Sequence, residues 1–95
     1  MSAYVIVDIE VTDDPGMVEY RKLVPATVEK YGGRFAVRGG KFEVREGQWK
    51  PTRSVLLEVP SMDAARRWYD SPEYAPLLAM RLKASKANLV IVEGA

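Results

Sequence analysis

Residues 3–11 read AYVIVDIEV, and the side chains of this run alternate between two faces of unlike chemistry. Successive side chains of a strand point to opposite faces, so the run predicts a central strand with two working surfaces. The first face is aliphatic at every position: Val5, Val7, Ile9 and Val11. The second face mixes apolar and acidic groups: Tyr4, Ile6, Asp8 and Glu10. The first is typical of a core, and the second of a surface that a partner, a ligand or water covers.

The composition of the 95-residue chain predicts one globular domain over residues 1–95. It is 47% hydrophobic and 28% charged, and no run approaches the roughly 20 apolar residues of a membrane helix. The first residues, MSAYVIVDIE, lack the basic start of a signal peptide, so we expect a cytoplasmic protein. With 14 basic and 13 acidic residues, the overall charge favours neither nucleic acid nor a membrane surface as a partner.

The chain contains no cysteine and no histidine. Disulfides, thiol nucleophiles, serine–histidine triads, histidine-ligated haem and the usual zinc sites need residues that this sequence lacks. We therefore expect no cofactor and no metal. Proton transfer near neutral pH would fall to Asp, Glu, Lys or Tyr, whose pKa values would have to be shifted by burial or by neighbours.

Three segments carry the signals of helix starts. Asp14-Pro15 predicts a helix that runs towards Lys30, with a kink or a restart at Pro25. Ser61 predicts the N-cap of a short second helix. Ser71-Pro72, a capping residue followed by proline as in Asp14-Pro15, predicts the start of a third helix.

Two strands joined by a tight turn are predicted after the first helix. Arg34–Arg38 and Lys41–Glu46 both alternate apolar and charged residues, and Gly39-Gly40 between them tolerates the positive φ values of hairpin turns. Arg53–Val59 is the next predicted strand, and Asn88–Glu93 is the last.

The resulting order, β-α-β-β-β-α-α-β, predicts an α+β fold. It is the ferredoxin-like split βαβ plan with an added hairpin strand and with helices on one face of an antiparallel sheet. The other face would leave an apolar patch that includes Tyr4, Ile6 and Leu56, and such patches usually mark an interface. The last strand would add either Val90 with Val92 or Leu89 with Ile91 to this patch. We therefore expect a homodimer through the non-helical sheet face.

Several segments resemble those of a bacterial family, domain-of-unknown-function family 1330 (DUF1330). They are the opening strand, LVPATVEKYGGRFAVRGG, EGQWKP, VPSMDAARRWYDSPEYAPLL and the terminal NLVIVEG. The resemblance spans nearly the whole chain and implies a dimeric α/β barrel, in which two ferredoxin-like sheets close across the dimer axis. It implies no activity, because none is established for the family. Relatives in the superfamily include cofactor-free monooxygenases, lactone isomerases, chlorite dismutase-like proteins and haem-degrading enzymes, and the haem-handling members depend on a histidine that this chain lacks.

Asp8 and Glu58 are the candidate acid and base residues. They are in phase on the non-helical face of strands that the ferredoxin-like plan places side by side. Two carboxylates in a poorly solvated space would raise one pKa towards neutrality. The alternative is that a nearby arginine neutralises them in structural ion pairs: Arg34, Arg38, Arg53 or Arg81.

Arg38 and Arg81 are candidates for binding an anionic substrate, since guanidinium groups suit carboxylates and phosphates. The resemblance places Arg38 in the family's RGG motif and Arg81 in its PLL-x-x-R pattern, although salt bridges or helix capping would explain both equally. Four aromatic residues are candidate walls of an apolar pocket: Trp49, Trp68, Tyr69 and Tyr74. Core packing is the alternative for Trp68 and Tyr69, and a dimer contact is the alternative for Trp49.

Three functions remain open on these residues. The first is a cofactor-independent enzyme, a lyase, isomerase or oxygenase-like protein that acts on a small organic acid or aromatic compound in the barrel. Asp8 or Glu58 would be its base, and Arg38 and Arg81 would orient the anion. The second is a metabolite-binding or stress-associated dimer without catalysis, and the third is a pure assembly module.

Overall fold

A central strand, β1 (Ala3–Val11), organises the sheet of this computed structural model, which describes residues 1–95. β1 pairs antiparallel with β3 (Ser54–Val59) on one side and with β4 (Ser85–Glu93) on the other. β2 (Arg34–Arg38) extends the sheet beyond β3, so the strand order is β2-β3-β1-β4. The predicted α+β class with a ferredoxin-like antiparallel sheet is confirmed.

Three helices pack on one face of this sheet: α1 (Asp14–Lys30), α2 (Met62–Tyr69) and α3 (Ala75–Ala84). The side chain of Asp13 caps α1 by accepting from the Gly16 N–H at 3.3 Å. The N-cap therefore lies one residue before Asp14, where the Asp14-Pro15 signal predicts it. α1 continues through Pro25 as one helix, so the predicted alternative of a restart there is wrong. Ser61 caps α2 as predicted, since its Oγ accepts from the Ala64 N–H at 3.0 Å.

The third helix begins later than its sequence signal. Ser71 Oγ accepts from the Tyr74 N–H at 3.1 Å, which closes a turn over residues 72–74 before α3 starts at Ala75. Ser71 Oγ also donates to the Trp68 carbonyl at 2.7 Å, so the same hydroxyl joins the end of α2 to the start of α3.

The hydrophobic core lies between the helices and the inner face of the sheet. Val5, Val28 and Tyr74 are the largest side chains that are fully buried. The alternation of β1 is confirmed, because Val5, Val7 and Ile9 are buried, whereas Ile6 on the opposite face is 41% exposed.

The prediction that Lys41–Glu46 forms the second strand of a hairpin is wrong. Residues 39–53 form no helix or strand, and β2 pairs with β3 instead of with Lys41–Glu46. Phe42 and Val44 alternate with charged residues as they would in a strand, but both are exposed. A strand needs a partner for its backbone and a surface on which to bury one face, and this segment has neither.

The outer face of the sheet carries no helix. Its apolar centre is Ile6 in β1, which pairs with Leu56 in β3 and with Val90 in β4. We refer to this surface as the open face and define it by five residues: Tyr4, Ile6, Leu56, Val90 and Val92. Asp8 lies on the same side of β1, and its Oδ2 accepts from Trp49 Nε1 at 3.2 Å.

Glu73 connects the end of α1 to the start of α3. Its Oε1 accepts from Tyr31 Oη at 2.6 Å, and its Oε2 lies 3.3 Å from Lys30 Nζ. The hydrogen bond from Tyr31, together with Lys30, outweighs the effect of desolvation and lowers the pKa of Glu73 below its usual value of 4.5.

Replacing Glu73 with glutamine is expected to remove a pH-dependent part of the stability. Because the pKa of Glu73 is lowered on folding, its ionised form stabilises the folded protein above the unfolded-state pKa, and this contribution is lost as the pH falls through the folded-state value. Thermal unfolding should be measured as the pH is lowered from neutrality to below the usual glutamate pKa value of 4.5. Stability should fall more steeply over this range for wild type than for Glu73→Gln. Glu29→Gln, which alters an exposed carboxylate of α1, is the matched control. Parallel acid profiles for wild type and Glu73→Gln would contradict the prediction.

Candidate functional site

A cleft of about 50 Å³ lies between the inner face of the sheet and the helices. Sixteen residues line it, of which twelve are hydrophobic. The other four are all arginine: Arg21, Arg38, Arg53 and Arg81. No carboxylate lines the cleft, so every formal charge in its walls is positive. We refer to it as the arginine cleft.

Arg81 is the most deeply placed of the four arginines. It projects from α3, and only 4% of the residue is exposed. Its Nε donates to Tyr74 Oη at 3.2 Å, and no carboxylate of the chain forms an ion pair with it. A buried arginine normally has an anionic partner, because withdrawing an unpaired charge from water is costly. Arg81 is therefore a largely buried cation to which the chain itself supplies no anion.

An aromatic cluster surrounds this guanidinium. The rings of Tyr74 and Trp68 lie 4.3 Å apart between centroids, and Tyr74 Oη is 2.8 Å from Tyr20 Oη. Trp68 Nε1 donates to Thr27 Oγ1 at 3.1 Å, which holds the indole against α1. The packing and the hydrogen bonds fix these rings, so the cleft has rigid walls beside Arg81.

The protonation states of Tyr20 and Arg81 are fixed in the neutral range. Burial, and then the proximity of Tyr74, raise the pKa of Tyr20 above its usual range. Burial acts to lower the pKa of Arg81, but Tyr74, Tyr20 and Tyr69 act in the opposite direction and raise it. Arg81 thus stays charged and Tyr20 stays neutral at physiological pH. The cleft presents a permanent positive charge.

Two further arginines are more exposed than Arg81 and mark the outer part of the cleft. The Arg38 guanidinium carbon lies 4.5 Å from the centre of the Phe35 ring, within the range of a cation–π contact. Arg53 forms no ion pair, and its guanidinium lies where a β carbon on Gly39 would collide with it. Gly39 also has a φ of 70°, so both its backbone conformation and the position of Arg53 favour glycine.

Four of the six predicted ligand-binding residues line the arginine cleft: Arg38, Trp68, Tyr74 and Arg81. Tyr69 borders a shallower depression that shares Arg81. Trp49 is separate from all of these, because it is 63% exposed and donates to Asp8 on the outer side of the sheet. The predicted aromatic wall is thus divided between the two sides of the sheet.

Asp8 and Glu58 lie on the same side of the sheet but not in one site. The register pairs Asp8 with Ser54 and Glu58 with Tyr4, so the two positions are separated along the strands by roughly 13 Å, at about 3.3 Å per residue. The expectation that the two carboxylates share one space is wrong within a single subunit. Glu58 pairs with Arg34, as the structural alternative proposed.

Sequence reasoning did not identify Tyr20 or Arg53 as residues of this cleft. The helical spacing of α1 places Tyr20 in its apolar stripe, and nothing local indicates that its hydroxyl meets Tyr74. Arg53 offered a clearer signal, because it is in phase with Val55 and Leu57 and therefore on the inner side of β3. An arginine in phase with core residues is a candidate for a buried or cleft-lining cation.

The structure gathers no group of three or more potential metal-ligating residues. None of the helices has the length and apolar character needed to cross a membrane.

Solved structures share this fold at low sequence identity. A protein of unknown function from Rhodopseudomonas palustris gives a TM-score of 0.75 at 13% identity, over 99% of this chain and 82% of that one. A dimeric ferredoxin-like protein of unknown function from Jannaschia sp. gives 0.71 at 13% identity, over 99% and 100%. SnoaB, a cofactor-independent oxygenase from Streptomyces nogalater, gives 0.57 at 16% identity, over 99% and 93%. At these identities the likeness concerns the fold alone.

No protein with a curated description matches the sequence. The family described as a domain of unknown function, DUF1330, matches residues 2–95. This match covers every strand and helix of the fold, including the elements that form the arginine cleft. The chain therefore belongs to the DUF1330 family.

Proposed function

We propose that this protein is a homodimer in which each subunit binds a small organic anion in the arginine cleft. The observation that carries the proposal is Arg81, a guanidinium with 4% exposure and no carboxylate partner in a cleft whose charges are all positive. A carboxylate ligand would supply the missing anion through charge-assisted hydrogen bonds. The surrounding apolar walls exclude water and so strengthen that interaction.

The homodimer is supported by the open face. Three of its apolar side chains, Ile6, Val90 and Val92, are exposed in the single subunit. A second copy laid against this face would cover these apolar side chains, and a two-fold arrangement is the commonest way for identical chains to do so. The likeness to the dimeric ferredoxin-like protein from Jannaschia supports the same arrangement. Two sheets joined in this way would form the barrel that the family resemblance implies.

Binding without catalysis fits the chemistry of the cleft best. A general acid or base should have a pKa near the working pH, and its proton-transfer atom must reach the substrate. The cleft contains no Asp, Glu or Lys, and the raised pKa values of Tyr20 and Arg81 move both groups away from neutrality. The arrangement therefore favours a site that holds an anion over one that exchanges protons with it.

Matched pairs of anions and neutral amides test the proposal on the wild-type protein. Propionate and benzoate are compared with propionamide and benzamide in thermal unfolding at constant ionic strength. A ligand at about 100 times its Kd stabilises the folded state by about 2.7 kcal/mol, so a specific anion should raise the Tm above that of its amide. Native mass spectrometry of the same preparation reports the number of subunits. Equal shifts for both acids and their amides would refute anion binding, and a monomer would refute the dimer.

Cofactor-independent oxygenation is a second candidate. Its support is the likeness of the fold to SnoaB, together with a guanidinium and tyrosine hydroxyls that would stabilise an oxyanion as charge develops. The acid-base role proposed for Asp8 and Glu58 would instead place catalysis on the outer side of the sheet. Any turnover should then be lost in the double variant Asp8→Asn, Glu58→Gln, and undiminished turnover would refute that role.

A further inference from the structure

We propose that the ligand of the arginine cleft is a short aliphatic carboxylate of about two to four carbon atoms, and that aromatic acids are excluded. This inference rests on the proposed anion-binding function and deepens it by naming the ligand class. It is carried by the size of the cleft, the composition of its walls and the position of the one buried cation.

The size of the cleft separates the two ligand classes. Its volume is about 50 Å³, whereas an apolar protein cavity that binds benzene has about 150 Å³. A single water molecule needs about 10–15 Å³ on this scale, so the cleft accepts only a few non-hydrogen atoms. A phenyl ring would therefore have to displace the walls.

The walls resist such displacement because they are part of the core. Met17, Val24, Leu57 and Trp68 line the cleft and are also members of the buried hydrophobic cluster. Well-packed interiors respond to added groups with unfavourable rotamers and backbone shifts. The cleft thus discriminates by size, and its rigidity comes from the same packing that stabilises the fold.

The chemistry of the cleft selects a carboxylate with an aliphatic remainder. Arg81 Nε is occupied by Tyr74 Oη, which leaves the two Nη groups to face a carboxylate in the paired geometry that guanidinium favours. Beyond this buried cation the inner walls are hydrocarbon and aromatic surface, which suits a short alkyl chain. Arg38 and Arg53 at the outer part favour the entry of an anion through long-range attraction.

A graded series of acids tests the inference on the wild-type dimer. Acetate, propionate, butyrate and benzoate are titrated separately at constant pH and ionic strength, and binding is followed by isothermal calorimetry and by amide chemical shifts. We expect the best aliphatic acid to bind about tenfold or more tightly than benzoate, because the packed walls of the cleft do not accommodate an oversized group. Amide shifts should be centred on residues that line the cleft.

The outcomes distinguish this inference from the function on which it rests. Benzoate binding as tightly as butyrate, with shifts in the cleft, would overturn the size limit while leaving anion binding intact. Binding of none of the acids would overturn both.

A cavity-enlarging variant provides an independent test. Met17→Ala removes side-chain volume from the cleft wall and should improve benzoate binding relative to butyrate by about tenfold, as a larger pocket admits a larger group. Met80→Ala makes the same change on α3, at a residue that does not line the cleft, and should leave the ratio as in wild type. An unchanged ratio in a folded Met17→Ala protein would contradict the size limit.

Discussion

Replacing Arg81 with methionine is expected to weaken the binding of small organic anions by about 10- to 100-fold, because charge-assisted hydrogen bonds contribute about 1.5–3 kcal/mol. The same change should leave the thermal stability equal to that of wild type or greater. Replacement of buried ionic groups by apolar residues of similar volume is often neutral or stabilising by about 1–4 kcal/mol. Tyr74 loses one donor in this variant but keeps its hydrogen bond with Tyr20.

The combination of lost binding and retained stability is what separates a ligand site from a structural arginine. In a domain of this size, each kcal/mol shifts the Tm by about 4–8 °C, so a structural role for Arg81 would be obvious in an unfolding scan. Arg66→Met removes an exposed arginine of α2 outside the cleft and is the matched control for charge and volume. A folded Arg81→Met protein that binds propionate as wild type does would refute the assignment.

Placing lysine at Ile6 is expected to convert the proposed homodimer into a monomer. In a two-fold interface each substitution occurs twice, so two apolar side chains are lost and two like charges enter the buried centre. An uncompensated buried charge costs several kcal/mol, and each 1.4 kcal/mol is a factor of ten, so the dimer Kd should rise by about a thousandfold or more. In the single subunit Ile6 is already 41% exposed, so the fold itself should tolerate the change.

A matched surface variant shows whether this effect belongs to the open face. Val18 is an apolar residue of similar exposure, 46%, but it lies on α1 on the other side of the molecule. Val18→Lys should therefore remain dimeric at concentrations where Ile6→Lys is monomeric in sedimentation velocity and light scattering. Dimerisation of Ile6→Lys with wild-type affinity would place the interface elsewhere.

The elements that could be predicted from the sequence are those with a local physical cause. The two faces of β1 follow from alternation alone, and Ser61 identifies the start of α2 because its side chain satisfies a backbone donor three residues away. Lys41–Glu46 shows where local reasoning fails. Its alternation is that of a strand, but a strand exists only where another backbone and a buried surface meet it, and both are long-range properties.

The candidate site depends even more on long-range geometry. The alternation of side chains along each strand correctly predicts that Asp8 and Glu58 lie on one face of the sheet. Alternation carries no information about the register between two strands, which sets the distance between these residues. The PLL-x-x-R pattern of the family resemblance singles out Arg81 as a candidate for binding an anion. That it is buried among tyrosines without a carboxylate follows only from the packing of α3 against α1 and the sheet.

The separation of Trp49 from Trp68 has a practical consequence for spectroscopy. These are the two tryptophans of the chain, and the sheet lies between them. Trp49 is largely solvated near Asp8, whereas Trp68 is buried in the wall of the cleft. Iodide should therefore quench the long-wavelength emission of Trp49 and spare the blue emission of Trp68. Subunit association would change the quenchable emission of Trp49, and ligand binding in the arginine cleft would change the protected emission of Trp68. One unlabelled sample would therefore report dimerisation and ligand binding as two separate optical signals.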